Sequence, residues 1–118
     1  MVSIDFSATS GKRLDEIVNL PKLQAYEGHF KKRLSHIVSK AQQAQQAKKY
    51  DEQGQKQNSH HLRNNYKQDV KNSIARATNR ISKTQAQIVA KIASYAWQQF
   101  YENPNPESIS QLREILIN

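Results

Sequence analysis

Four histidines are the side chains in this sequence that titrate near neutral pH, so catalytic or metal chemistry would have to begin with them. His29 and His36 stand seven residues apart on one side of a predicted helix, and His60 is followed directly by His61. A zinc site needs three or four N, O or S ligands. No carboxylate stands at ligand spacing beside His29 and His36, and the chain has no cysteine. There is no HExxH, no glycine loop to cradle a phosphate and no paired set of catalytic carboxylates. Glu102, Glu107 and Glu114 are surface helix positions by pattern, and the serines and threonines lack a partnered base. The sequence therefore predicts a protein that is not an enzyme, with no metal and no cofactor.

The spacing of Lys and Arg points to phosphate instead. Between His29 and Lys91 there are fourteen Lys and Arg and three acids, while both flanks are slightly acidic. A block of this kind attracts polyanions, because neutralising phosphates releases counterions. On one predicted helix Arg63, Lys67 and Lys71 step by four, and Arg76, Arg80 and Lys83 form a second row. At about 100° per residue the two rows flank the apolar stripe on opposite sides. Steps of four residues are about 6 Å along a helix, comparable to phosphate spacing in an extended single strand. On the preceding helix Lys31, Lys32 and Arg33 fan around the surface, and Arg33 shares a flank with Lys40. Lys48 and Lys49 lie at its far end. If the two helices double back on each other, their rows merge into one basic face. Helices that are merely solvated usually carry acids as i,i+4 partners, and Asp69 is the only acid between Asn58 and Lys91. Nothing resembles base readout, so the expected contacts go to the backbone and tolerate sequence.

Five helices must position these charges. Val2, Ile4 and Phe6 alternate with polar residues and predict a short extended arm. Thr9 or Ser10 caps a first helix through Leu14, Ile17 and Val18, which stops before Pro21. Pro21 opens a second helix with a stripe from Leu23 to Ala44, and Gly28 is a weak spot inside it costing about 1 kcal/mol relative to Ala. The stretch rich in Gln and Lys then frays into a mobile linker over Asp51–Ser59. A third helix carries Leu62, Tyr66, Val70, Ile74, Ala77 and Ile81. Ser82 and Gln85 match a capping box that starts a fourth helix through Ile92, Trp97 and Phe100; the alternative is one helix from His60 to Tyr101. Asn105 and Pro106 start a last helix with Ile109, Leu112, Ile115 and Leu116, whose outer side is a candidate protein contact. The fold class is all-α, a compact bundle of about five helices in one domain spanning residues 1–118.

At 36% apolar residues the chain falls below the usual range of about 45–50%, which suits helices with thin stripes and wide polar faces. No apolar run approaches the roughly 18 residues of a membrane helix, and the N-terminus lacks the charge and apolar core of a signal peptide. The expectation is a soluble, cytoplasmic protein with no membrane partner.

A small, cysteine-free, helical, basic chain without catalytic residues resembles the small subunits of multi-subunit CRISPR effector complexes. The resemblance rests on size, helix pattern and charge block, with no diagnostic motif. It implies a non-catalytic subunit of a ribonucleoprotein complex that contacts the target or displaced strand through a basic face and stabilises the R-loop. Its partners would be single-stranded DNA or an RNA–DNA hybrid, larger protein subunits, and copies of itself. Two other classes remain: a dimeric architectural or plasmid-maintenance DNA-binding protein, and a helical adaptor or inhibitor whose basic face meets an acidic protein.

Overall fold

The segment Lys83–Glu102 presents alanines, one serine and large apolar side chains around most of its circumference, and such a helix has to be buried. In the computed structural model, which describes residues 4–103 and 105–117, it lies at the centre. Among the described residues there are seven α-helical segments and no strand: α1 (Leu14–Ile17), α2 (Leu20–Ala25), α3 (His29–Ala41), α4 (Gln43–Glu52), α5 (Lys56–Arg76), α6 (Lys83–Glu102) and α7 (Pro106–Ile117). All but α2 of the other six pack directly on α6, and α2 lies against α7. Ala90, Ala93 and Ala96 are buried, and their small side chains let the neighbouring helices come close. Trp97 and Phe100 fill the remaining space, both fully buried.

Local signals set most boundaries. The Ser82 hydroxyl accepts from the Gln85 amide at 3.1 Å, and the Ser82 amide donates to the Gln85 side chain at 2.8 Å. This reciprocal cap separates α5 from α6 and excludes the single long helix. Asn105 caps α7 by accepting from the Glu107 amide at 3.0 Å. Leu112 and Leu116 of α7 are buried, so that helix packs on the body. The side chain of Ile109, assigned to the same stripe, lies outside the described residues, as does Val2.

The second predicted helix is divided. It ends at Ala25 and restarts at His29, because Gly28 stands at φ +69° and ψ −135°. That conformation belongs to glycine, and a side chain there costs about 1–3 kcal/mol. The sign of one substitution is therefore reversed. Inside a helix, Gly28→Ala would stabilise by about 1 kcal/mol; at this break it is expected to destabilise by about 1–3 kcal/mol. Chemical denaturation of the two proteins distinguishes these outcomes.

The expected linker over Asp51–Ser59 gives way to a tight turn. Here α4 continues to Glu52 and α5 begins at Lys56. Gly54, at φ +76°, donates its amide to the Asp51 carbonyl (3.1 Å), and the Gln55 amide bonds the Tyr50 carbonyl (2.8 Å). This is a Schellman cap, which glycine after a helix favours. Ala44 and Ala47 of α4 and Ser59 of α5 are buried, and small residues rather than an apolar stripe hold this hairpin together. Polar composition hid that packing.

The N-terminal arm is also different from the expectation. Asp5 accepts from the Ser7 amide at 3.0 Å and starts a 3-10 turn, Phe6–Thr9, in place of an extended strand. Phe6 is only 6% exposed and sits 5.5 Å from the Trp97 ring and 6.2 Å from Tyr66. Thr9 belongs to this turn, and Ser10 is its C-cap, so neither caps α1. The N-cap of α1 is Arg13, whose amide donates to the Glu16 carboxylate at 2.9 Å.

Candidate nucleic-acid interface

The helix α3 lies between α5 and α7, so three helices contribute to one surface. Phe30, Leu34, Ile37, Val38 and Ala41 turn inward, which leaves Lys32 and His36 on the outer side. Along the border with α5, Arg33 donates to the Ser73 hydroxyl at 3.3 Å, and Lys40 forms an ion pair with Asp69 at 3.0 Å. Arg76 at the end of α5 is exposed and close enough to α3 to influence His36. On the other border Arg113 of α7 donates to the Ser39 hydroxyl at 3.0 Å. Two shallow hollows that share Ser35 and Ile117 lie between α3 and α7: Lys32 lines one, and Arg113 and Glu114 line the other.

Positive charge dominates this face. Partial desolvation by the neighbouring helices lowers the His36 pKa from its ordinary value of 6.5; Lys40, Arg33 and Arg76 push it down further, against the pull of Asp69. The imidazole is therefore neutral at pH 7. A depressed His pKa means that the folded protein binds fewer protons, so its contribution to stability is lost as pH falls through the folded value. A phosphate beside the ring acts in the opposite sense by favouring the imidazolium. Polyanion affinity is expected to rise as pH falls below 6.5, and His36→Ala should flatten that part of the profile, measured by titration between neutral and acidic pH.

The predicted basic residues do not form one continuous face. Arg33, Lys40 and Arg76 meet across the border of α3 and α5. The row Arg63, Lys67 and Lys71 runs along the opposite flank of α5. There Lys67 lies 4.9 Å and Arg63 5.7 Å from the centre of the Phe6 ring. These two side chains cover the N-terminal turn, and Lys71 alone in that row is exposed. Replacing Arg63 and Lys67 by Glu would therefore disturb Phe6 packing as well as charge. The second row is interrupted too, because α5 ends at Arg76; Arg80 lies in the following turn and Lys83 opens α6, both exposed.

Three further lysines have specific positions. Lys31 donates to the Leu116 carbonyl at 3.3 Å and ties α3 to α7. Lys48 stands 4.9 Å over the Tyr101 ring, whose hydroxyl donates to Asp51. Lys49 is exposed on α4. Tyr66 is fully buried and donates to the Ala93 carbonyl at 2.9 Å, so it is unavailable for stacking on a base. Among the described residues no group of three or more His, Cys, Asp or Glu side chains could hold a metal. No helix among them is long and apolar enough to cross a membrane.

Arg113 is the member of this face that sequence reasoning did not find. It lies in the acidic C-terminal flank, 74 positions from the serine it binds. Its exposure and helical phase give no sign of the contact; only the docking of α7 on α3 brings it there.

Comparison with protein-family models, curated proteins and solved structures finds no match.

Proposed function

We propose that this protein is a non-catalytic nucleic-acid-binding module that grips the phosphate backbone through the face of α3 and its borders with α5 and α7. One observation carries the reading: Lys32, Arg33, Lys40, Arg76 and Arg113, from three helices, stand on α3 and its two borders, where the acids are Asp69 on the α5 side, paired with Lys40, and Glu114 on the α7 side. Like charges gathered in this way oppose folding, and a polyanion offsets that repulsion when it binds. Arg33 and Arg113 are held by serine hydroxyls, which fixes their positions without neutralising them. Such contacts orient a nucleic acid and carry little sequence information.

The finer reading follows from the resemblance to CRISPR small subunits. The module would act inside a ribonucleoprotein effector complex, beside larger subunits and copies of itself, and hold the target or displaced strand of an R-loop. The test is affinity for a single strand, a DNA duplex and an RNA–DNA hybrid across a salt series. Each phosphate neutralised contributes a log–log slope of about −0.7 on single strands and about −0.9 on duplex DNA. A slope of several units is expected. Binding that becomes tight only with co-purifying subunits supports the finer reading. Absence of binding at low salt overturns both and leaves a protein-interaction module.

A further inference from the structure

The outer ridge of α5 carries four amides, with His61 and Ala75 on the same arc. Asn64, Asn65, Gln68 and Asn72 are all exposed, and at about 100° per residue they cover an arc of roughly 100°. Cations border this ridge on both sides. Lys71 lies along one margin. Arg76 lies along the other, about two turns from Asp69, which is paired with Lys40 of α3 at 3.0 Å. The amides are paired along the ridge as well: Gln68 Nε2 donates to Asn72 Oδ1 at 3.0 Å.

We infer that α5 enters the major groove of duplex DNA with this ridge against the base edges and Gln68 set to read adenine. The inference rests on the nucleic-acid reading above and adds a sequence preference to it. The dimensions agree, since the major groove is about 12 Å wide and an α-helix with side chains is about 10–12 Å across. One exposed cation on each margin, Lys71 and Arg76, with uncharged amides between them, complements two phosphate walls around a floor of bases. The major groove of an RNA duplex is too narrow to admit side chains, so the complementary partner is DNA. Once Gln68 is braced on Asn72, its Oε1 and its second N–H stay free. That acceptor and donor match the N6 amino group and N7 of adenine, the pairing that Asn and Gln side chains make in the major groove.

The test is selection by the full chain from a random-sequence DNA duplex pool, followed by affinity measurements on the selected duplex. Enrichment of adenine at one or more positions is expected, with the selected duplex bound about tenfold more tightly than the starting pool. Gln68→Ala removes an exposed side chain and should erase the preference while leaving affinity for the unselected pool unchanged. An adenine analogue with carbon in place of N7 should do the same from the DNA side. Retention of the pool without enrichment, or a preference that survives Gln68→Ala, would overturn the inference and leave the phosphate-binding reading intact. Failure to bind any duplex or single strand at low salt would overturn both.

Discussion

Replacing Lys32, Lys71 and Arg76 together by Glu is expected to weaken nucleic-acid binding by about a thousandfold or more at low salt. All three side chains are exposed, and none has a hydrogen bond or ion pair among the described residues. The substitution therefore removes charge without removing packing. Charge-assisted hydrogen bonds contribute about 1.5–3 kcal/mol each, and exposed ones lie at the lower end. Three such losses account for the expected factor. The slope of log affinity against log salt should also become shallower by about three units. Equilibrium titration across a salt series measures both quantities, and circular dichroism checks that helicity is unchanged. Unaltered affinity and slope in the triple variant would remove the α3 and α5 margins from the interface.

The second large effect concerns the core. Trp97→Ala is expected to destabilise the fold by about 3–5 kcal/mol. A domain of this size has a total stability of about 5–15 kcal/mol, so little of the native state would remain in the weakest case. Trp97 is fully buried, with the Tyr66 ring at 4.9 Å and the Phe6 ring at 5.5 Å. Its removal thus loosens α5 and the N-terminal turn together. The Trp97 indole N–H finds no acceptor among the described residues, and a buried donor without a partner opposes folding. Trp97→Phe keeps an aromatic ring and removes that donor, so its loss should be clearly smaller than that of Trp97→Ala. Thermal unfolding should separate the two: the alanine variant is expected to melt roughly 10–25 °C lower than the parent. Equal losses would mean that Trp97 contributes through the indole edge and not through ring packing.

Much of the bundle is legible along the chain because its signals are local. The stripe of α6 repeats at three and four residues, and its start is written in Ser82 and Gln85, which meet across a single turn. The stop before Pro21 and the Asn105 cap of α7 depend equally on residues within one turn of each other. The hairpin of α4 and α5 was missed for the opposite reason. It is packed through Ala44, Ala47 and Ser59, which carry little apolar signal, and the polar stretch Asp51–Ser59 reads as a linker when its neighbours are unknown. Gly54 was the one available clue, since a glycine after a helix is also a cap. Gly28 shows the same ambiguity from the other side. Its residue type is compatible with a weak helix interior or a break, and only the backbone conformation distinguishes them.

The sequence by itself determined the helical class and the excess of positive charge in one block, because periodicity and composition do not depend on what each helix touches. It also determined which flank of α5 each cation occupies, since 3.6 residues per turn fixes that phase. Only the tertiary structure decided which cations share a surface. Docking of α3 against α5 sets Arg33 and Lys40 on Ser73 and Asp69, and docking of α7 adds Arg113 from a flank of opposite net charge. Folding of the N-terminal turn commits Arg63 and Lys67 to Phe6. These contacts join residues 29 to 74 positions apart, and no local spacing rule can encode a meeting that depends on how whole helices pack.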